Sequence, residues 1–275
     1  MKIELRSLHY CVHINGSKKR SAPLLLLHGF TGSHKTWDPL ISALSENYQT
    51  IAVDLIGHGQ TDAPNDPKRY AIEEAADDLI ELLNQLNIEK AHMLGYSMGG
   101  RLALTAACRH PSRFQSLILE SSSPGLKTKQ EREQRIAADE KLADFIEKNG
   151  IEAFIDYWED IPLFQTQKRV KSEDRASLRK IRLQNRAVGL ANSLRGMGTG
   201  KQPSLWTQLS ALPMPVLLIA GELDKKFAAI AEEMSARIKR HKLAIVSDAG
   251  HTIHFENREA FIEIILDFLN QFKEA

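Results

Sequence analysis

The chain has 275 residues, of which 43% are hydrophobic and 26% charged, as is ordinary for a soluble globular protein. A formal net charge of +1 excludes the strong global field that suits nucleic-acid or membrane-surface binding, and the apolar run at 23–27 is too short to cross a bilayer. The N-terminal segment MKIELRSLHY lacks the apolar core of a signal peptide. We therefore expect a cytoplasmic protein, monomeric or weakly homo-oligomeric, that binds neither nucleic acid nor membrane.

The first half of the chain alternates strand and helix patterns. Residues 2–14 alternate in polarity and reach Asn15-Gly16, which predicts two short strands followed by a turn. Short apolar runs typical of strands buried on both faces follow at 24–27, 50–54, 91–95 and 116–121. Helical patterns lie between them at about 37–46, 71–87 and 98–109. This alternation predicts a mostly parallel, doubly wound α/β sheet.

The strand signal vanishes between 122 and 211 and then resumes. The intervening stretch is helical in pattern, and its residues 126–201 hold 16 basic against 12 acidic side chains. Strand, helix, strand and helix patterns then follow at 215–222, 226–240, 242–248 and from about 256. We expect an inserted helical cap at 122–211, between a first core part at 1–121 and a second at 212–275.

A serine-centred turn is the clearest chemical motif. GYSMG at 95–99 follows a predicted strand and precedes a predicted helix, which is the context that G-x-S-x-G requires in an α/β hydrolase. The glycines permit a strained turn that exposes the side chain of Ser97. By itself the pattern could be a chance glycine–serine loop, so a catalytic role for Ser97 also requires a histidine and an acidic residue elsewhere in the sequence.

Those partners occur in the order that α/β hydrolases use. Asp224 follows the strand pattern of 215–222, and His251 follows that of 242–248, so Ser97, Asp224 and His251 are the predicted catalytic triad. The N–H groups of Phe30, in HGF after the strand at 24–27, and of Met98 are the predicted oxyanion hole. His254, three residues further on, is a less favoured alternative, because the Gly-His dipeptide at the strand end favours His251.

The triad does not by itself fix the reaction. His251 can activate Ser97 to attack a carbonyl, or to remove a proton from carbon, and both routes place negative charge on an oxygen in the same hole. Arg101 is the unusual residue, since a cation in the first turn of a helix opposes the helix dipole. It is either a surface arginine paired with an acid or a contact for an anionic substrate.

The whole chain resembles the α/β-hydrolase superfamily. Several stretches are similar, more particularly, to the family of 2-succinyl-6-hydroxy-2,4-cyclohexadiene-1-carboxylate (SHCHC) synthases of menaquinone biosynthesis. The segments that carry this resemblance are LHGFTGS with Trp37 (27–37), VDLIGHG (53–59), GYSMGGRLAL (95–104), PGLKTKQEREQR (124–135), GELDKKFAAIA (221–231) and AGHTIHFENRE (249–259). The most specific features are Arg101, the E-R-x-x-R of the first cap helix, and the D-x-K-F around Asp224.

The resemblance implies a lyase that eliminates pyruvate from 2-succinyl-5-enolpyruvyl-6-hydroxy-3-cyclohexene-1-carboxylate, with Ser97 as the general base. It implies a small polycarboxylate substrate and no metal or organic cofactor. Guanidinium groups suit such a substrate because they bind carboxylates through two hydrogen bonds. The substrate-binding residues that the resemblance implies are Arg101, Arg135, Arg182, Tyr96 and Trp158.

Some of these assignments have alternatives. Arg135 can form an ordinary helical pair with Glu131, Arg186 is an equal alternative to Arg182, and Trp158 suits core packing equally well.

Two other functions use the same residues. A carboxylesterase or carbon–carbon bond hydrolase would use Ser97 or a water molecule to attack a carbonyl, in a pocket without arginines. A binding protein on an inactive hydrolase scaffold is disfavoured by the intact order of the triad.

Overall fold

A computed structural model describes residues 1–17 and 22–272. Eight strands form one sheet in the order β1-β2-β4-β3-β5-β6-β7-β8. The strands are β1 (Lys2–Leu5), β2 (Leu8–Asn15), β3 (Leu24–Leu27), β4 (Thr50–Val53), β5 (Ala91–Tyr96), β6 (Phe114–Glu120), β7 (Val216–Gly221) and β8 (His241–Val246). The β1–β2 and β2–β4 pairs are antiparallel, and all the other pairs are parallel. The predicted mostly parallel sheet of alternating strands and helices is confirmed.

Helices alternate with these strands. They are α1 (Asp38–Ser45), α2 (Ile72–Gln85), α3 (Met98–Arg109), α4 (Lys129–Glu159), α5 (Ser172–Leu183), α6 (Ala187–Met197), α7 (Lys225–Ser235), α8 (Ile253–Glu256) and α9 (Arg258–Asn270). None of the helices in the described ranges is long and apolar enough to cross a membrane.

The sheet is covered on both faces, as the apolar strand runs require. In β3, Leu25 and Leu27 enter one hydrophobic cluster, while Leu24 and Leu26 enter a second. Successive side chains of a strand point to opposite faces, so a run of four leucines fills both layers. All four side chains are fully buried, and each such burial contributes roughly 2 kcal/mol of hydrophobic free energy.

The first hairpin turns at a pair of residues that the sequence pattern did not single out. Arg6 and Ser7 join β1 to β2 with φ angles of 47° and 67°. Two successive residues with positive φ suit the right-handed twist of a hairpin, but Asn-Gly is the usual signal for them. Here the guanidinium of Arg6 donates to Glu74 and Asp78 of α2, and these bonds anchor the turn.

Helices α4 to α6 lie between β6 and β7, and the described residues of 122–211 include no strand. The long α4 is interrupted at Gly150, whose φ of 80° is outside the helical range. Helices α4 and α6 share a small hydrophobic cluster that contacts Phe30 and therefore the loop after β3. The division into a cap at 122–211 and core parts at 1–121 and 212–275 stays a prediction.

Candidate active site

The serine turn is closely packed. Ser97 has φ 49° and ψ −106°, and its N–H donates to the main-chain oxygen of Glu120 at 2.8 Å. A Cβ on Gly95 would lie 2.4 Å from the oxygen of Gly99, and one on Gly99 would lie 2.2 Å from the oxygen of Leu27. Only glycine fits at either position. The two glycines therefore hold Ser97 in a strained conformation at the N-terminus of α3, beside the end of β3.

Ser97, Asp224 and His251 converge because each follows the carboxyl end of a parallel strand. The Oδ2 atom of Asp224 lies 2.7 Å from Nδ1 of His251, and Nε2 of His251 lies 3.0 Å from Oγ of Ser97. A carboxylate can only accept, so Nδ1 carries the proton and Nε2 is free to accept from the serine hydroxyl. Oδ1 of Asp224 accepts from the N–H of Phe227, which fixes the carboxylate.

The two predicted oxyanion-hole amides belong to segments that meet beside Ser97. Neither the N–H of Phe30 nor that of Met98 donates to a main-chain oxygen within the described ranges. The imidazole of His28 shapes the first segment, since Nδ1–H donates to Gly29 at 2.8 Å and Nε2 accepts from the N–H of Leu55 at 3.0 Å. Burial lowers the pKa of His28 to about 4, which keeps this ring neutral.

A cavity of about 350 Å³ opens over the serine. Its walls are mainly aliphatic and aromatic, with Phe30, Trp158 and Phe227 among them. Three cationic side chains also line it, and none of its described lining residues is a carboxylate. These cations are Arg101, Arg135 and Lys226. The cavity therefore suits a partly apolar ligand that carries negative charge.

Arg101 has no acidic partner within ion-pair distance in the described part of the chain. One of its guanidinium nitrogens, Nη1, donates to the main-chain oxygen of Met197 at 2.8 Å and to Oε1 of Gln202 at 2.9 Å. Removal from water, and then the nearby charge of Arg135, lower the pKa of Arg101 to about 10. The group is still charged at neutral pH. Both of its hydrogen-bond acceptors are neutral oxygens, and the more distant charge of Asp139 only partly opposes the lowering of the pKa.

Arg135 is paired within its own helix, but not with the residue that the sequence suggested. Its Nε donates to Oδ1 of Asp139 at 2.7 Å, whereas Glu131 caps the start of α4 by accepting from the N–H and hydroxyl of Thr128. Burial raises the pKa of Asp139, and Arg135 only partly offsets this effect. Arg135 is nevertheless 43% exposed and lines the cavity.

Arg182 lies outside the lining of this cavity. It is buried, donates to Oε1 of Glu159 at 3.1 Å and Oε1 of Gln167 at 3.2 Å, and lies over the ring of Phe164. Burial lowers the pKa of Arg182, and its bond to Glu159 opposes that shift. The alternative, Arg186, donates to the main-chain oxygen of Thr61. A substrate contact by Arg182 stays a prediction.

Both predicted aromatic contacts line the cavity, and each is tied to other elements. Trp158 packs edge-on against Phe30 at 5.4 Å between ring centroids, and its buried Nε1 has no partner among the described residues. The hydroxyl of Tyr96 is hydrogen-bonded at 2.8 Å to Oγ1 of Thr252, the residue that directly follows His251 in the chain. Trp158 thus combines the core-packing and cavity-lining roles.

A buried polar pair behind the triad was not predicted. The carboxylate of Glu120 accepts from the main-chain N–H of His254 at 3.0 Å and from its Nδ1–H at 2.7 Å. Since the main-chain oxygen of Glu120 also accepts from Ser97, one residue connects the serine turn to the histidine loop. The sequence places Glu120 at a strand end, but nothing local indicates that it faces His254.

The chain is similar to known proteins over nearly its whole length. The alpha/beta hydrolase fold family matches residues 22–258. A putative SHCHC synthase of Bacillus subtilis (strain 168) is 47% identical over 262 residues, which cover 95% of each chain. The SHCHC synthase of Enterobacter sp. (strain 638) is 32% identical over 93% of this chain and 96% of its own length.

Structural similarity agrees with these relationships. MenH from S. aureus superposes with a TM-score of 0.92 and 34% sequence identity, covering 97% of this chain and 99% of its own. Identity above 30% over almost the full length of these relatives is family-level similarity. The chain belongs to the 2-succinyl-6-hydroxy-2,4-cyclohexadiene-1-carboxylate synthase family of the α/β hydrolases.

Proposed function

We propose that this protein eliminates pyruvate from 2-succinyl-5-enolpyruvyl-6-hydroxy-3-cyclohexene-1-carboxylate to give SHCHC in menaquinone biosynthesis. Family membership supports the reaction, and one feature of the cavity supports it independently. The space over Ser97 and His251 is lined by three cations and by no described carboxylate. A substrate with three carboxylates is complementary to this positive charge, whereas a neutral ester carries no negative group for the three cations to bind.

In this reaction Ser97 acts as a base. Nε2 of His251 takes the hydroxyl proton of Ser97, and Oγ removes the ring proton next to the succinyl carbonyl. The electrons of the broken C–H bond form a new ring double bond, the existing double bond shifts, and the C–O bond to the enolpyruvyl group breaks. The leaving enolate becomes pyruvate on protonation, and the ring becomes the conjugated diene.

The oxyanion hole stabilises the charge that develops on the succinyl carbonyl. Proton removal spreads negative charge onto this oxygen, and the N–H groups of Phe30 and Met98 are the donors that we assign to it. Asp224 keeps the proton on Nδ1 of His251 and stabilises the imidazolium that forms. The hydrogen bonds that join Asp224, His251 and Ser97 exist without substrate, which supports a triad that needs little reorganisation.

The cavity cations orient the substrate. Arg101 lies one helical turn beyond Ser97 and can bind a carboxylate through nitrogens that protein oxygens do not occupy. Arg135 and Lys226 supply further positive charge at the cavity wall. The same proposal includes substrate contacts from Tyr96, Trp158 and Arg182. It also includes a cytoplasmic location and a monomeric or weakly oligomeric state.

The test incubates the pure protein with freshly prepared enolpyruvyl precursor and follows pyruvate and diene absorbance together. We expect both products in a one-to-one ratio, and the loss of both with Ser97→Ala. A carboxylesterase with Ser97 as nucleophile is the other candidate, because the triad geometry serves acyl transfer equally well. Rapid turnover of 4-nitrophenyl esters without either product would overturn the synthase proposal and favour the esterase.

A further inference from the structure

Three side chains of metal-binding type lie together outside the lining of the catalytic cavity. Cys11 and His13 are two residues apart on β2 and therefore share one face of the strand. His34 begins the short 3-10 turn after the oxyanion segment. The Cys11 sulfur and one ring nitrogen from each histidine all lie within 4.8 Å of one another.

One distance already matches metal coordination. Sγ of Cys11 lies 3.6 Å from Nε2 of His13. A tetrahedral zinc ion, about 2.3 Å from sulfur and about 2.0–2.1 Å from nitrogen, places these two ligand atoms about 3.6 Å apart. The imidazoles of His13 and His34 are stacked, with centroids 3.5 Å apart and an angle of 7° between planes. For both rings to bind the same ion, one of them must tilt out of this stack. His13 is only partly buried, so its ring has the space to do so.

A buried carboxylate orients the third ligand. Oδ1 of Asp54 lies 2.7 Å from Nδ1 of His34 and accepts from the main-chain N–H of His34 at 2.6 Å. Because the carboxylate is the acceptor, Nδ1 carries the proton and Nε2 keeps its lone pair. Histidines that bind metals have this arrangement, with the second ring nitrogen donating to a carboxylate.

We propose that Cys11, His13 and His34 bind zinc or a similar divalent transition-metal ion, separately from catalysis. Water or the amide oxygen of Gln60, which lies 4.0 Å from Sγ of Cys11, completes the tetrahedron. Binding of the ion displaces the thiol proton of Cys11, because the thiolate is the form of cysteine that binds a metal. No local sequence pattern indicates this site, because His34 comes from a different segment from Cys11 and His13.

The test titrates metal-stripped full-length protein with Co²⁺ and records its absorption spectrum. We expect one ion per chain, a thiolate-to-cobalt charge-transfer band and the strong visible bands of a tetrahedral site. The charge-transfer band disappears in Cys11→Ser, and His13→Gln lowers the affinity roughly tenfold or more. Cys108→Ser is the control for the other thiol, and His9→Gln is the control for a neighbouring exposed histidine.

Thermal unfolding with Zn²⁺ gives a second readout that does not depend on activity. An ion that binds only the folded chain raises Tm, so we expect a rise in wild type and both controls but none in Cys11→Ser. No saturable one-site binding in wild type would overturn the proposal. So would a charge-transfer band that survives in Cys11→Ser or vanishes in Cys108→Ser. Should Cys11→Ser not fold, unchanged Co²⁺ affinity in His13→Gln would overturn it as well.

Discussion

Replacement of Arg101 by methionine tests the anion-binding role of the cavity. Methionine keeps an unbranched side chain like the aliphatic part of arginine but carries no charge, so a carboxylate beside it would lose its partner in a partly desolvated site. The loss of one member of such a pair costs about 3 kcal/mol, which corresponds to roughly 150-fold in kcat/KM. We expect a decrease of this size for the enolpyruvyl precursor, measured from initial rates of diene formation.

The control must separate recognition from structure, because Arg101 also bonds to Met197 and Gln202. A neutral substrate, 4-nitrophenyl acetate, serves this purpose if a basal rate is measurable, and Arg101→Met should leave that rate within about twofold. Arg109→Met removes an arginine from the last turn of the same helix, where it pairs with Asp77, and should change neither rate. Unchanged kcat/KM for the precursor in Arg101→Met, or equal losses on both substrates, would refute the anion-binding role.

Three further substitutions test the triad, the polar pair behind it and a buried carboxylate. Asp224→Asn should lower kcat for diene formation by roughly 10³–10⁴-fold without loss of folding, since His251 is then left in the wrong tautomer; near-normal kcat would contradict this orientation. Glu120→Gln leaves one donor of His254 unsatisfied and should lower the free energy of unfolding in urea by about 2–3 kcal/mol, whereas no change would show that the pair is not structural. For Asp54, burial alone would raise the pKa, but hydrogen bonds from the side chain and N–H of His34 and from the N–H of Gln60 lower it from 3.8 to about 2. Because this pKa is depressed in the folded state, the ionised carboxylate contributes about 2 kcal/mol to the free energy of unfolding above pH 4, and this contribution is lost as the pH falls through about 2. Asp54→Asn should therefore lower the free energy of unfolding at pH 7, and the difference from wild type should disappear in acid. A difference that does not depend on pH would contradict this linkage.

Much of the fold could be predicted from the sequence because strands and tight turns are indicated by patterns of neighbouring residues. The leucines of β3 indicate burial on both faces, and the glycines around Ser97 indicate a tight turn, without knowledge of any distant contact. The order of Ser97, Asp224 and His251 predicts their convergence only because parallel strands present their carboxyl ends at one edge.

The features that were missed depend on contacts between distant segments. The turn at Arg6 and Ser7 is held by α2 and carries no usual turn residue. Likewise, Glu120 gains its role from His254, which lies 134 residues away in the sequence. The location of Arg182 among Glu159 and Gln167 also depends on how separate segments pack, which periodicity does not encode.

The role of Ser97 as a base is tested most directly by the fate of the ring hydrogen. Single-turnover rates with excess enzyme should be compared for the ordinary precursor and for one deuterated next to the succinyl carbonyl, and the quenched protein should be analysed by intact mass. Proton abstraction by Ser97 predicts a primary isotope effect on diene formation and no covalent adduct. An isotope effect of unity, together with a substrate-derived adduct on Ser97, would contradict it and make Ser97 a nucleophile.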